Sequence, residues 1–201
     1  MVDQYAKFVK QSLHVAWRRP ISSLNYILTS LEWEQEHNGF SHQNPGFVSS
    51  IVEKHGAFSS VYFPADANSL LVTLEDCLKR TNSINVIVSG KQKLPQWLSL
   101  ADARKQLKVG VQTWEWASPS GTKNPDVVLA AAGDFMTQEC LAAIDLLRKA
   151  VPQLKVRFVN VSEITSLGIG DERHPLRLQT RDFEKYFTKD NSLEEIERKN
   201  T

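Results

Sequence analysis

The chain of 201 residues carries 24 Lys and Arg against 23 Asp and Glu, which gives a formal net charge of +1. This balance supplies no net field to favour nucleic acid or an acidic membrane surface. Hydrophobic residues make up 41% of the chain, and its longest apolar runs are too short to span a bilayer. The N-terminus, MVDQYAKFVK, lacks the apolar segment of a signal peptide. We therefore expect a cytoplasmic globular protein.

Helices are predicted in the first part of the chain. Apolar residues recur at helical spacing from Tyr5 to Trp17. The segment ISSLNYILTSLEWEQEH predicts a second helix, which should end near His37 because Asn38-Gly39 is a strong breaker. The residues that step down one side of this second helix are Leu24, Ile27, Leu28, Leu31 and Glu34. GFVSSIVEKHG then predicts a short helix.

A strand–helix–strand alternation follows. SSVYFPA (59–65) and INVIVSG (84–90) predict strands, and the continuous apolar run of the second is typical of a parallel sheet covered on both faces. Between them, SLLVTLEDCLKR predicts a helix. We interpret Asp66 and Asn68, just before it, as helix-capping residues rather than ligands.

The second half repeats this alternation after a connection. Residues 93–124 predict a short helix and then a linker packed by Trp97, Trp114 and Trp116. DVVLAAAGD (126–134) predicts a buried strand, TQECLAAIDLLRKAV a helix with Thr137 near its N-cap, and LKVRFVNVSEI another parallel strand. This order predicts a right-handed crossover and an α/β fold of parallel-sheet βαβ units. We divide the chain into residues 1–100, a linker at 101–124, and residues 125–201.

The chain has two cysteines, Cys77 and Cys140. They stand neither in a CxxC pair nor at metal-ligand spacing from a histidine. We expect buried free thiols rather than a disulfide, in keeping with a reducing cytoplasm.

Sequence motifs for nucleotide phosphates, zinc peptidases and serine hydrolases do not occur in the chain. The polar stretch EHNGFSHQNPG is the main concentration of reactive residues, with His37 and His42 beside Gln35 and Asn38. Two imidazoles with neighbouring amides can move protons and hold hydroxyl groups near neutral pH. The alternative is a polar loop satisfied by its own backbone. A third metal ligand is not evident nearby, so we predict no metal site.

Two positions directly after strands are further candidates. Lys91 follows INVIVSG, and ligands gather at the carboxyl ends of parallel strands, where an ammonium group can hold an anionic substrate. The alternative for Lys91 is a solvated lysine that begins a loop. Gly133-Asp134 follows DVVLAAA, and we interpret it as a helix-capping turn rather than a site.

The stretch WEQEHNGFSHQNPGF resembles the W-x-Q-x-H-N-G-F-[ST]-H-Q-[DN]-P-G-F segment of phosphoketolases, which are thiamine diphosphate enzymes of sugar phosphate metabolism. WRRPISSLNYILTS, VYFPADANSLL, INVIVSGKQ, WEWAS and VVLAAAGDFMTQECLAAIDLLRKAVPQLKVRFVNV also occur in that family's order. The resemblance runs from about Trp17 to Thr188. GFSHQNP is also similar to transketolases, but WEWAS and the strand–helix junction at PADAN favour phosphoketolases.

The resemblance implies a fold and a reaction. Residues 1–100 would be the C-terminal half of a pyrimidine-binding domain, and residues 125–201 part of a transketolase-like C-terminal domain. The implied reaction cleaves xylulose 5-phosphate or fructose 6-phosphate with inorganic phosphate to acetyl phosphate and an aldose phosphate. It uses thiamine diphosphate and Mg²⁺, and the cofactor carries the hard chemistry.

The resemblance also assigns roles by position. His42, Gln35 and Asn38 match residues that contact the ketose and the two-carbon fragment, and His42 is the first choice for proton transfer. His37 joins His42 and Gln35 as a catalytic candidate and shapes the loop. Asn38 and Lys91 are the substrate-binding candidates, with Lys91 holding the substrate phosphate.

Departures from the family pattern limit what this chain can do alone. The Gly-Asp-Gly…Asn cofactor domain and the glutamate that activates the aminopyrimidine are absent from the sequence, and the family's HPHGL-like segment reads HPLRL. We expect a fragment or a split or truncated gene product, inactive in isolation. Its partners would be a missing N-terminal domain or subunit and, in the complete enzyme, further copies. The alternatives are a non-catalytic assembly module that keeps the fold and a transketolase-type fragment.

Overall fold

In the part of the chain that the structure describes, the strands form two three-stranded sheets. The computed structural model of the protein describes residues 1–29, 46–54, 56–119, 123–168 and 173–188. None of the described helices is long and apolar enough to cross a membrane.

The first sheet is parallel throughout and has the strand order β1-β3-β2. Its strands are β1 (Leu24–Leu28), β2 (Ser59–Tyr62) and β3 (Ile84–Val88). Three helices precede or connect them: α1 (Val2–Leu13), α2 (Gly46–Val52) and α3 (Ala67–Lys79). The central strand β3 is buried along its whole length, Asn85 included, as its β-branched sequence predicts. The predictions of strands β2 and β3 and of helices α2 and α3 are confirmed.

The predicted second helix is wrong where it overlaps the described residues. Residues Leu24–Leu28 form a strand that pairs with β3 from Leu24↔Ile84 to Leu28↔Val88. A short apolar run fits helical and extended spacing alike, and pairing with a buried neighbour decides in favour of the strand. The rest of that predicted helix falls in residues 30–45, outside the described residues. The first helix ends at Leu13, short of Trp17, which is 83% exposed.

The second sheet has the order β4-β6-β5 and is mixed. Its strands are β4 (Val111–Thr113), β5 (Val127–Ala131) and β6 (Val156–Val161), accompanied by helices α4 (Leu100–Val109), α5 (Asp134–Ala150) and α6 (Thr180–Phe187). Strands β5 and β6 pair in parallel through α5, which confirms the predicted βαβ unit. Strand β4 pairs antiparallel to β6 and lies inside the predicted linker, where no strand was expected. Strand β5 is an edge strand and therefore only partly buried, whereas a buried strand was predicted.

Buried polar side chains hold the second sheet to its helices. The indole Nε1–H of Trp114 donates to Oε1 of Gln106 at 2.8 Å, and the Gln106 amide donates in turn to Asn160. The Asn160 amide then donates to Oγ1 of Thr137 at 2.9 Å. Helix α5 begins at Asp134, with Gly133 as its N-cap. It therefore starts before the segment TQECLAAIDLLRKAV that was predicted as helix, and Thr137 lies inside its first turn.

The predicted tryptophan packing and the predicted free thiols are both found. Trp116 stacks between Trp97 and Trp114, with ring centroids 6.3 and 5.3 Å apart. Both cysteines are free, and Cys77 is buried, but Cys140 is only partly buried. Burial was therefore predicted correctly for one of the two thiols.

Candidate functional site

The carboxyl ends of the first sheet's strands form one edge of that sheet, because the three strands run in parallel. Strand β3 leaves this edge through Ser89 and Gly90 to Lys91. The backbone N–H of Ser89 donates to the carbonyl of Leu28 at 3.0 Å, which continues the β1–β3 pairing past the end of β3. Ligands bind at such edges in parallel α/β sheets. We define the Lys91 turn as residues 89–91.

Lys91 lies where the sequence predicted it, directly beyond the carboxyl end of a central buried strand. Its side chain is exposed. In the described parts of the chain, no carboxylate lies within ion-pairing distance of its ammonium group. A compact cation at the end of a rigid strand can hold an anionic group of a ligand.

The other four predicted site residues are Gln35, His37, Asn38 and His42. They lie outside the described residues, so their roles stay predictions. Strand β1 ends at Leu28, next to Val88 of β3, and residues 30–45 follow in the chain after Thr29. The chain therefore leaves β1 toward these four residues from the same sheet edge as Lys91.

A buried aspartate at the start of helix α5 holds the Lys91 turn. Asp134 is 5% exposed, and its Oδ2 accepts a hydrogen bond from the backbone N–H of Gly90 at 2.6 Å. The hydroxyl of Ser89 donates to the same oxygen at 3.4 Å, and the N–H of Phe135 donates to Oδ1 at 2.7 Å. Gly133-Asp134 was predicted as a helix-capping turn, and it does begin α5. Its contact with Gly90 was not predicted.

A second buried aspartate holds the chain a few residues after Lys91. Asp66 caps α3 as predicted, because its Oδ1 accepts from the N–H and the hydroxyl of Ser69 at 2.8 and 2.7 Å. Its Oδ2 accepts from the backbone N–H groups of Trp97 and Leu98 at 2.9 and 2.7 Å. Asn68 was predicted to cap as well, but its amide donates to the carbonyl of Leu98 at 2.8 Å. Buried carboxylates thus fix both ends of residues 90–98.

The positions of Asp66 and Asp134 between a strand and the next helix can be read from the sequence. Asp66 and Asp134 each follow a strand of a parallel unit and start the next helix, so both stand at the carboxyl edge of a sheet. Their helix-starting role was readable from local sequence, whereas their backbone partners after β3 are distant along the chain.

A buried polar cluster connects the two sheets at the end of β2. Glu163 follows β6 and forms an isolated antiparallel bridge with Tyr62, the last residue of β2. Its Oε1 lies 2.8 Å from Nε2 of His174 and accepts from the hydroxyl of Thr165 at 3.0 Å. Burial, and then the nearby Glu163 carboxylate, raise the pKa of Tyr62 well above its ordinary value. The cluster is closed to solvent, which indicates a structural role.

A surface groove of about 550 Å³ lies between α3, α4 and residues 175–176. Three of its cations already pair with its two carboxylates, through Lys79–Glu75, Arg80–Asp76 and Arg104–Glu75. These ion pairs leave the groove with less net attraction for an anion than its four cations suggest. Among the residues that the structure describes, no group of three or more His, Cys, Asp or Glu could hold a metal ion.

Comparison with known proteins places the chain in a family. Residues 1–80 match the family model of D-xylulose 5-phosphate/D-fructose 6-phosphate phosphoketolase, and residues 91–194 match the model of the XFP C-terminal domain. A "Probable phosphoketolase" of Bradyrhizobium diazoefficiens is 52% identical over 191 residues, which cover 94% of this chain and 24% of the relative. "Probable phosphoketolase 2" of Nostoc sp. is 49% identical over 193 residues, with 96% and 24% covered.

Solved structures of transketolases share the fold. A transketolase from Campylobacter jejuni superposes with a TM-score of 0.56 at 16% identity, over 83% of this chain and 23% of that one. A transketolase variant from Pichia stipitis gives a TM-score of 0.51 at 18% identity, over 79% and 21%. At these identities the likeness shows the fold alone, and it confirms the predicted transketolase-like α/β class.

The hydrogen bond from Leu98 N–H to Asp66 links the two matched regions, since Asp66 falls in the first and Leu98 in the second. The two matches together cover most of the chain, and the two curated relatives are about half identical to it. The chain therefore belongs to the D-xylulose 5-phosphate/D-fructose 6-phosphate phosphoketolase family, and it spans 24% of the length of those two relatives.

Proposed function

We propose that this chain forms part of the sugar phosphate site of a phosphoketolase. The complete enzyme would cleave xylulose 5-phosphate or fructose 6-phosphate with inorganic phosphate to give acetyl phosphate and an aldose phosphate. The observation that carries the proposal is the exposed Lys91 ammonium at the carboxyl end of β3, on a turn that buried side chains hold in place. A substrate phosphate is the anion that fits a lysine there, because lysine binds phosphate as a point charge.

The remaining site residues act on the carbon skeleton in this proposal. His42 transfers the proton that the departing hydroxide of the two-carbon fragment needs, since an imidazole can give and take protons near neutral pH. Gln35 and Asn38 hold hydroxyl groups of the ketose, and His37 supports the loop or assists proton transfer. All four follow β1 in sequence, and β1 ends at the Lys91 edge.

Thiamine diphosphate with Mg²⁺ would supply the carbanion chemistry in the complete enzyme. The described residues do not fit the metal and diphosphate site, because they include no group of three or more potential metal ligands. We therefore propose that those ligands come from a part of the relatives' length that this chain does not match. An N-terminal domain or subunit of the family, in a homo-oligomer, is the partner that this requires, and the isolated chain is inactive.

An acetyl phosphate assay tests the proposal. The chain is assayed alone and then mixed with the remaining N-terminal portion of the Bradyrhizobium relative, with xylulose 5-phosphate, inorganic phosphate, thiamine diphosphate and Mg²⁺. We expect acetyl phosphate only from the mixture. Transfer of the two-carbon unit to an added aldose phosphate, which forms a new ketose phosphate instead of acetyl phosphate, would favour a transketolase-type fragment. A folded, associated mixture without either product would favour a non-catalytic assembly module.

A matched pair of lysine variants tests the role of Lys91 in that mixture. Lys91 and Lys93 are both exposed, and both lie in the segment after β3. Replacing either by Met removes the same charge and keeps a similar chain length. We expect Lys91→Met to raise KM for the sugar phosphate about tenfold or more, as loss of a charge-assisted contact does, and Lys93→Met to leave it near the parent value. Equal effects of the two variants would contradict the assignment.

A further inference from the structure

We propose that Asp134 is a positioning residue for Lys91, so that the second sheet sets where the substrate phosphate is held. This inference rests on the proposed function of Lys91. The side chain of Asp134 contacts the backbone of the Lys91 turn, and Asp134 does not contact the substrate in our proposal.

The contact of Asp134 with the turn is direct and short. The Gly90 N–H donates to Oδ2 of Asp134 at 2.6 Å, across 44 positions in sequence. A hydrogen bond to an ionised carboxylate is shorter and about twice as strong as a bond between neutral groups. The Gly90 N–H is therefore held from α5 one residue before Lys91 leaves the turn.

Both carboxylate oxygens of Asp134 are already used inside the protein. Oδ1 accepts from Phe135 N–H, while Oδ2 accepts from Gly90 N–H and more weakly from the Ser89 hydroxyl. The residue is 5% exposed, and it lies in the first turn of α5, where the helix dipole favours a negative charge. A buried carboxylate with this set of donors orients the turn, whereas it would repel a phosphate placed against it.

The backbone before Asp134 fixes the carboxylate relative to the first sheet. Gly133 has φ of +87°, a conformation that favours glycine, and its N–H donates to the carbonyl of Phe63 at 3.3 Å. Phe63 directly follows β2. The Gly133-Asp134 turn thus contacts the chain just beyond the ends of both β2 and β3. Any shift of α5 is passed on to the Lys91 turn.

This arrangement matters because a lysine side chain is long and flexible. When the backbone that carries it is also free to move, a bound phosphate must order both. A turn held from two sides leaves only the side chain to be ordered, which lowers the entropic cost of binding. Loss of the Asp134 carboxylate should therefore weaken anion binding at Lys91 without removing any group that touches the anion.

The test compares Asp134→Ala and Asp134→Asn with the control Asp126→Ala. Asp126 also accepts a backbone hydrogen bond, from Lys155 N–H at 3.0 Å, but it precedes β5, whereas Asp134 follows it. The first readout is amide hydrogen exchange at Gly90 in this chain by NMR. The second is the Kd for D-xylulose 5-phosphate, from a titration that follows the Gly90 amide and the Lys91 side chain. Far-UV circular dichroism confirms folding.

We expect Asp134→Ala to speed Gly90 exchange at least tenfold and to raise Kd about tenfold. Asp134→Asn keeps a carbonyl acceptor but loses the charge, so its effects should lie between those of alanine and the parent. It also preserves the test if the alanine variant does not fold. Asp126→Ala should change neither readout.

The outcomes separate this inference from the proposed function. If Lys91→Met weakens binding while the Asp134 variants leave Gly90 exchange or Kd unchanged, the positioning role is overturned and the proposed function stands. If Lys91→Met leaves Kd unchanged, the phosphate role of Lys91 is overturned, and the positioning inference fails with it. Faster Gly90 exchange in Asp134→Ala would in that case show only that the hydrogen bond between Gly90 and Asp134 protects this amide.

Discussion

The Nε2 atom of His174 lies 2.8 Å from Oε1 of Glu163, and both side chains are almost fully buried. The other ring nitrogen of His174, Nδ1, accepts a hydrogen bond from Leu176 N–H at 3.2 Å. The proton of a neutral imidazole must then sit on Nε2, where it is donated to Glu163. The pair joins the end of β6 to the residues before α6, and Glu163 also bridges to β2. It is therefore a polar connection between the two sheets.

Removing the imidazole is predicted to destabilise the fold strongly. His174→Ala leaves the buried Glu163 carboxylate with the Thr165 hydroxyl as its remaining side-chain donor among the described residues. Loss of a hydrogen-bond donor to a buried carboxylate costs about 1–3 kcal/mol or more. Urea unfolding at pH 7 measures the change. The control is His14→Ala, since His14 is exposed after α1 and should have little effect. Similar losses in both variants would contradict a stabilising role of the pair.

Asp66→Ala is predicted to loosen the segment after the Lys91 turn and to lower stability. It removes a carboxylate that accepts four hydrogen bonds, two from Ser69 and two from the backbone of Trp97 and Leu98. Unpaired buried donors cost about 1–3 kcal/mol each, so we expect a loss of at least about 2 kcal/mol in the free energy of unfolding.

The matched control for Asp66 is Asp102→Ala. Asp102 accepts from the Ser99 hydroxyl at 2.7 Å and from the Lys105 ammonium at 2.9 Å, but it does so on the exposed surface of α4. Hydrogen exchange should therefore rise at the Trp97 and Leu98 amides in Asp66→Ala and stay unchanged in Asp102→Ala. Unchanged exchange at both amides in Asp66→Ala would show that the carboxylate does not hold this segment.

The sequence was sufficient for the elements that carry a distinctive local pattern. The β-branched run in Ile84–Val88 predicted a buried parallel strand, and Lys91 lies beyond the carboxyl end of that strand. The run Leu24–Leu28 was assigned to a helix because five apolar or neutral residues satisfy both periods. Only its partner, β3, distinguishes the two structures, and a single sequence does not display that pairing.

The two aspartates that hold the ends of residues 90–98 show the same limit. Asp66 and Asp134 were readable as helix-starting residues, because the N-cap preference depends on neighbours within one turn. Their bonds to Leu98 and Gly90 span 32 and 44 positions. Such partners depend on how the crossovers stack the sheets, so no spacing rule revealed them.

The two thiols are predicted to differ in reactivity. Burial raises the pKa of Cys77 from its ordinary value of 9.0 to about 12, and Cys77 is fully enclosed. Cys140 is partly exposed, although burial also raises its pKa. A thiol reacts only as the thiolate, and only where the reagent can reach it. At pH 8 we expect a disulfide reagent to modify Cys140 in the native chain and Cys77 only after unfolding. Cys77→Ala and Cys140→Ala, each with one thiol, assign the two rates by mass spectrometry.

The same pKa shift predicts a loss of stability at alkaline pH. The thiol of Cys77 ionises near 9.0 in the unfolded chain and near 12 in the folded one, so the folded state binds the proton more tightly. Its stabilising effect is complete below pH 9.0 and is lost as pH rises toward 12. The stability advantage of the parent over Cys77→Ala should therefore shrink across that range. A difference independent of pH would contradict the shifted pKa.

Gly110→Ala is predicted to be more damaging than Gly133→Ala, although both glycines have positive φ, +75° and +87°. A Cβ at Gly110 would lie 3.0 Å from both Cβ and Oγ of Ser166, whereas a Cβ at Gly133 would meet the Phe63 ring at 3.6 Å, an ordinary contact. Neither backbone is left-handed helical, since ψ is −32° at Gly110 and 171° at Gly133, and such sparsely populated conformations cost a residue other than glycine about 1–3 kcal/mol.

The additional clash distinguishes the two glycines, because the Gly110 carbonyl also accepts from Ser162 N–H and Glu163 N–H at 2.9 and 3.2 Å. A backbone shift that relieved the contact with Ser166 would strain these bonds beside the Glu163–His174 pair. We expect Gly110→Ala to lose about 1–3 kcal/mol more than Gly133→Ala in urea unfolding, as overpacking of a tight site does. Ser166→Gly, introduced together with Gly110→Ala, removes the clashing side chain and should recover most of that difference. No recovery in the double variant would show that the backbone conformation, and not the contact with Ser166, sets the cost at Gly110.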